Sequence, residues 1–258
     1  MIIKACGASH KGNLRDHNED NIYIDGSYRS DLSMDNVLIS GRRGEGPHTF
    51  AVFDGLGGES CGERASYIGA ACLSEAEKNG SINEPDLFVS AVHHVIQKEA
   101  GRIGARNMGT TVAGIHIKGD CGTVFNVGDS RVYLYRGGDV YQLSRDHSVV
   151  QSMIDAGFLE EADRNKSSHA GELTQYLGMT TEEEIEPSAF CREVHLMSGD
   201  LIILCSDGLS GELDKEEICE VTGAFKDKGM DKLALALIKR AVDKTGKDNI
   251  SAIAAIVE

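Results

Sequence analysis

From residue 110 to residue 143 the chain passes through four short strand-like runs with no helical pattern between them. Residues 110–117, 123–127, 132–136 and 140–143 are rich in β-branched and aromatic side chains, and Gly137-Gly138 between the last two is a hairpin signal. A parallel pairing needs a crossover of a dozen residues or more, so runs this close together pair antiparallel. Further strand patterns lie at 37–39, 49–53, 201–205 and 250–257. Helical patterns come in pairs between the strand runs. The first is at about 61–78, with Ala65, Ile68, Cys72 and Ala76 on one side. The next starts at Pro85, with Phe88, Val92, Val95 and Ile96 on one face. Asp214-Lys215-Glu216-Glu217 has the form of a capping box, and 230–244 turns Leu233, Leu237, Ile238 and Ala241 inward. The expected class is α+β: a β-sandwich of two antiparallel sheets flanked by pairs of α-helices.

Composition narrows what such a fold can do. The 258 residues hold 41 Asp and Glu against 26 Lys and Arg, a formal charge of −15, which disfavours a nucleic-acid partner because backbone phosphates are bound by clustered cations. No run approaches the roughly 20 apolar residues that span a bilayer, and the first residues lack the apolar segment of a signal peptide, so no membrane insertion is expected. The 7 cysteines are odd in number and never spaced Cys-x-x-Cys. That speaks against zinc and disulfide frameworks and for a reducing, cytoplasmic setting. Only 3 prolines occur and no linker divides the chain, so residues 1–258 are expected to form one unit. The polar stretch at 155–190, with Glu182-Glu183-Glu184, reads as an excursion from its body.

The chemistry is carried by aspartates at strand ends. The apolar run 50–53 ends in Asp54-Gly55-Leu56-Gly57-Gly58, and 201–205 ends in Ser206-Asp207-Gly208. Asn126-Val127-Gly128-Asp129 repeats the arrangement, Asp248-Asn249 precedes the last strand, and Arg15-Asp16-His17-Asn18-Glu19-Asp20 lies near the start. A single Asp-Gly is ordinarily a turn, and Glu19-Asp20 taken separately reads as a solvated pair. Several ionised carboxylates beside apolar core are costly unless paired or metal-bound, and few bases lie near them in the sequence. Oxygen donors without a His or Cys set select Mg²⁺ or Mn²⁺ over zinc. Glycine after the aspartate lets the backbone approach such an ion.

These segments, with Gly109-Thr110-Thr111, 126–135, 143–148, 173–178 and 247–251, occur in the order seen in the metal-dependent serine/threonine protein phosphatases of type 2C, and the chain resembles their compact bacterial form from end to end. The resemblance implies the αββα fold and a centre of two Mn²⁺ or Mg²⁺ ions at one edge of the sandwich. By motif match Asp54 bridges both ions, the Gly55 carbonyl completes one shell, and Asp207 and Asp248 hold one ion. Glu19 and Asp20 orient waters around the other ion, Asp129 recruits a third, weaker ion in some bacterial members, and Arg15 grips the substrate phosphate. The implied reaction is attack on phosphoserine or phosphothreonine by a water that the ions make acidic. The implied partners are phosphorylated proteins and an opposing serine/threonine kinase. The alternatives are a phosphatase dedicated to one regulatory phosphoprotein, a phosphoprotein-binding pseudophosphatase, and a metallophosphoesterase acting on small molecules.

One position departs from the family. Where many eukaryotic members have His after Asp-Gly, this chain has Leu56, which leaves the leaving-group proton unassigned: a metal-bound water is the expected donor, with His147 and His17 as substitutes to test against a structural or exposed imidazole. The region 148–190 matches the family's flap subdomain. There Arg164, Lys166 and His169 are either contacts for an acidic phosphopeptide or solvated loop residues.

Overall fold

The central strands of this protein are buried on both faces, and the fold explains why. In a computed structural model, which describes residues 1–41, 44–57, 61–180 and 186–258 (the Asn165 side chain excepted), two six-stranded antiparallel sheets stack and each is covered outside by helices. Gly58 of the Asp-Gly motif and Glu182-Glu183-Glu184 lie outside the described residues.

One sheet has the order β11-β10-β13-β14-β1-β4, built from β1 (Ile3–His10), β4 (Asn36–Ser40), β10 (Arg131–Arg136), β11 (Asp139–Gln142), β13 (Leu201–Cys205) and β14 (Ile250–Val257). The other runs β12-β9-β8-β5-β2-β3, from β2 (Asn21–Ile24), β3 (Ser27–Tyr28), β5 (His48–Phe53), β8 (Val112–Lys118), β9 (Cys121–Val127) and β12 (Phe190–His195). A two-stranded ladder joins β6 (Gly55–Leu56) to β7 (Gly109–Thr110).

Side chains alternate along each strand, so each strand feeds two cores. Ile22, Val52, Ile115, Val132, Ile202, Leu204 and Ile253 fill the space between the sheets. From the same strands, Tyr23, Ala51, Phe53 and Phe125 point outward under α1 (Gly62–Asn79) and α2 (Pro85–Ile103). On the opposite side Tyr133, Ile203, Cys205 and Ala254 meet α5 (Lys215–Phe225) and α6 (Met230–Lys244). The α5 cap is the expected box: Asp214 accepts from Glu217 N–H at 2.8 Å while the Glu217 carboxylate accepts from Asp214 N–H at 3.2 Å.

Two details differ from the sequence reading. Val95 is 44% exposed, because the buried stripe of α2 runs through Phe88, Val89, Val92 and Ile96 and leaves Val95 on the flank. In α1, Ile68 and Cys72 only border the core, while Ala65, Ala70, Leu73 and Ala76 fill it.

The flap leaves the body after β11. It contains α3 (Val149–Asp155) and a 3-10 turn at Glu161–Lys166, and it rejoins through paired bridges. Val149 N–H donates to Glu172 O at 2.9 Å and Thr174 N–H to His147 O at 2.9 Å, which closes its base. Leu177 then pairs with Thr110, each N–H donating to the other's carbonyl at 2.9–3.0 Å.

Candidate active site

The strand-end acids meet because strands from both sheets end at the same edge. β5 delivers Asp54, β9 leads through Gly128 to Asp129, β13 leads into α4 (Asp207–Ser210), and Asp248 stands just before β14. Gly208 permits the closest of these approaches: a Cβ there would lie 1.9 Å from Asn249 O, so only glycine lets the 207–208 and 248–249 backbones touch. Arg15, Glu19, Asp54, Gly55, Leu56, Asp129, Asp207 and Asp248 line one cavity of about 160 Å³, roofed from the flap by Gly171 and Leu173. A larger cavity of about 330 Å³ adjoins it under the flap and shares the walls Asp129, Asp207 and Asp248.

Asp54, Asp20 and Glu19 are positioned by neutral groups. Asp54 O accepts from Thr111 N–H at 2.9 Å and Thr110 Oγ1 at 2.9 Å, while Asp54 N–H donates to Thr111 Oγ1 at 3.2 Å. Asp20 is fully buried behind the cavity, its Oδ2 accepting from Ser206 Oγ at 2.8 Å and Ser251 Oγ at 2.6 Å. Asn249 accepts from Glu19 N–H at 2.8 Å and donates to His17 O and Lys11 O, tying the N-terminal motif to β14. Gly62 N–H, at the start of α1, donates to the Glu19 carboxylate, and Ser66 Oγ donates to Glu19 O at 2.6 Å.

The electrostatics are those of crowded like charges. Burial pushes the Asp54 carboxyl well above the usual range, and Asp20, Asp207, Asp248 and Asp129 push it further. Asp129 rises for burial first and Asp207 second. Asp207 rises through burial and Asp248, partly offset by a hydrogen bond with Asp54. Asp20 is pushed up to about 7, burial outweighing its two serine donors. Glu19 is raised by burial and by Glu63. Arg15 is the cation of this cavity: Nη2 donates to Asp248 Oδ2 at 2.7 Å, and the side chain is 51% exposed, which leaves donors facing the mouth.

As placed, the carboxylates surround a cavity: among the described residues no three His, Cys, Asp or Glu side chains close on a single ligand point. The donor set nonetheless fits small hard cations. It is all oxygen, it is crowded with like charge, and Asp20 Oδ1 is buried without a hydrogen-bond partner. Gly55 lines the cavity as expected, but the need for glycine there has another source. A Cβ would sit 2.4 Å from Glu19 O and 2.3 Å from Gly62 O, so the crowding comes from protein backbone.

Five further side chains named from the sequence have their own places. Arg164, expected at a phosphopeptide, is only 13% exposed and spends its guanidinium on Asp146 at 3.2 Å, Gln151 at 2.6 Å and Glu161 at 2.7 Å, so it ties the flap to the body. Lys166 and His169, also in the flap, pair with Asp163 and Glu172. His147 accepts from Gly128 N–H at 3.3 Å, its pKa lowered by burial, and His17 is exposed; neither lines the cavity beside Leu56. Thr111, Ser206, Ser251 and Asn249 stand in the quoted motifs, but no role was read for them from the sequence. Their signal was present, since each hydroxyl or amide lies within three residues of a motif aspartate or at its strand partner.

Comparison with known proteins agrees with this geometry. The family profile described as Protein phosphatase 2C matches residues 28–238. The serine/threonine protein phosphatase PstP of Mycobacterium tuberculosis is 28% identical over 262 aligned positions, covering 100% of this chain and 45% of that protein, so the chain spans less than half of that relative. The serine/threonine phosphatase stp of Listeria innocua is 28% identical, covering 94% of this chain and 91% of its own. The solved catalytic domain of PstP in complex with two manganese ions superposes with a TM-score of 0.77 at 26% identity, covering 99% of this chain and 98% of that one.

Proposed function

The chain belongs to the protein phosphatase 2C family, and on that premise we propose that it is a metal-dependent phosphoprotein phosphatase that hydrolyses phosphoserine and phosphothreonine and opposes a serine/threonine kinase. One observation carries the reading. Asp54, Asp129, Asp207, Asp248 and Glu19 line one cavity whose wall, among the described residues, holds a single cation, Arg15. A structural protein has no use for five such acids, whereas a pair of Mn²⁺ or Mg²⁺ ions neutralises them.

Asp54, the Gly55 carbonyl, Asp207 and Asp248 would hold the two ions, Glu19 and Asp20 would hold waters around them, and Asp129 would hold a third, weaker ion. Bound there, the ions supply the acidity that makes a cavity water nucleophilic at neutral pH and offset charge gathering on the phosphoryl oxygens. Arg15 binds the phosphate, its planar fork meeting two oxygens while one nitrogen stays on Asp248. Leu56 gives no proton, so the departing serine or threonine oxygen takes its proton from water in the cavity. Gly171 and Leu173 cover the cavity from the flap side and limit its access to solvent. Among the described residues no helix is long and apolar enough to cross a membrane, and the cysteine pattern supports work in the cytoplasm.

The test is hydrolysis of an aryl phosphate with added Mn²⁺, then of phosphothreonine peptides, phosphotyrosine peptides and nucleotides. Turnover that a chelator abolishes, with phosphothreonine preferred, is expected. Binding of phosphopeptide without turnover would leave a pseudophosphatase, and equal rates on all substrates would overturn the serine/threonine assignment.

A further inference from the structure

Four buried side-chain atoms lack a hydrogen-bond partner among the described residues: Asp20 Oδ1, Arg29 Nε and Nη2, and Glu63 Oε2. They belong to one neighbourhood, since Asp20 and Glu63 are the carboxylates that act most strongly on the Arg29 guanidinium. Arg29 is 3% exposed and rigidly mounted. Asn21 brackets its backbone with bonds of 3.0 Å in both directions, and Nη1 donates to Asn18 O at 2.8 Å and Met34 O at 2.9 Å. Those bonds fix one nitrogen and leave the donors of the other two aimed elsewhere.

The unmatched atoms are complementary. Arginine donors of positive charge and carboxylate oxygens of negative charge are buried in one neighbourhood with no direct hydrogen bond between them. Buried ions left in this way are costly, and buried polar groups that lack direct partners are where proteins hold ordered water. Both carboxylates lead to the active site. Asp20 lies behind the cavity on Ser206 and Ser251. Glu63 opens α1 beside Gly62, whose N–H holds the Glu19 carboxylate.

We propose that Arg29 is a positioning residue for the metal centre: through ordered water it links Glu63 on α1 to the free oxygen of Asp20 and fixes both acids behind the cavity. The inference rests on the metal-dependent reading above. It gives a role to a cation that lies outside every motif of the sequence and touches no substrate.

Calorimetric titration of Mn²⁺ into the full chain tests it with wild type, Arg29→Lys and Arg29→Gln. Lysine keeps the charge but lacks the fork, so both variants should bind Mn²⁺ about tenfold to a hundredfold more weakly, the range seen when groups that orient metal ligands are lost. At saturating Mn²⁺ the KM for an aryl phosphate should stay within about twofold of wild type, as expected for a group that acts through Asp20 and not on substrate. A lower melting temperature with unchanged Mn²⁺ affinity would reduce Arg29 to a structural role and overturn the proposal. So would wild-type affinity in Arg29→Lys, which decides the matter if Arg29→Gln fails to fold. If wild type itself bound no Mn²⁺, the functional reading would fall first, an outcome distinct from loss in the variants.

Discussion

Two groups of buried and half-buried aspartates in this protein show opposite solutions to the same problem. Asp146 and Asp200 are 4% and 1% exposed, and each is matched by arginine. Arg131 grips Asp146 through Nε at 3.0 Å and Nη2 at 2.6 Å, with Gln142 and Arg164 completing its shell. Arg136 grips Asp200 the same way at 2.7 and 2.6 Å, and Met197 N–H adds a bond at 2.8 Å. Asp20, Asp54, Asp129 and Asp207 have hydroxyls, backbone groups and one another instead. A fold that can place arginine on a buried acid, and does so at Asp146 and Asp200, has left these acids for an ion that comes from outside. Asp129 and Asp146 both line the 330 Å³ cavity, so the two solutions lie side by side.

The comparison is most easily broken at Asp146. Asp146→Ala strands Arg131 and Arg164, both 13% exposed, and should cost about 3–5 kcal/mol, the usual penalty for removing one partner of a buried pair. Denaturant unfolding with chelator present measures it; a loss under about 1 kcal/mol would mean the pair is no better compensated than a surface one. Asp54→Asn should do the reverse. In chelator it removes one of several crowded like charges, so the melting temperature should rise, while kcat in Mn²⁺ should fall by about 10²–10³. A variant that melts lower and keeps its turnover would place Asp54 with the structural acids.

How far the sequence foretold this follows from the same contrast. The sandwich, its helix pairs and the meeting of Asp54, Asp207 and Asp248 were legible, because an apolar strand that ends in Asp-Gly marks both a buried element and an acid at its rim. What the sequence could not show was pairing. Arg164 looked like a free cation in a polar loop, and its bonds to Asp146, Gln151 and Glu161 exist only once the flap folds back. Arg29 stands in no motif of the sequence, and its burial, at 3% exposed, shows only in the fold. Val95 escaped for a smaller reason: a helix stripe three to four residues wide does not say which flank faces solvent.

The smallest expected effect is also the one that reads the unpaired acids directly. Asp20 keeps its proton to about pH 7 in the folded protein, against 3.8 when unfolded. Between those values the folded state binds the extra proton, so this contribution to stability is present below about pH 4 and is lost as pH rises through 7. Asp54, Asp129, Asp207 and Glu19 are raised in the same direction. His93, His116 and His147, lowered by burial, act oppositely below pH 6.5. They are common to wild type and Asp20→Asn, so the difference between the two melting curves cancels them. With chelator present, the stability of wild type relative to Asp20→Asn should fall by a few degrees in melting temperature between pH 5 and 7.5, where about 1 kcal/mol corresponds to roughly 2–4 °C in a chain of this size. Saturating Mn²⁺ should flatten that slope, because the acids then have their counter-charge at every pH in the range. A difference that is level in chelator, or that runs the other way, would mean Asp20 is compensated inside the protein as Asp200 is, and the contrast between the two groups would lose its most buried member.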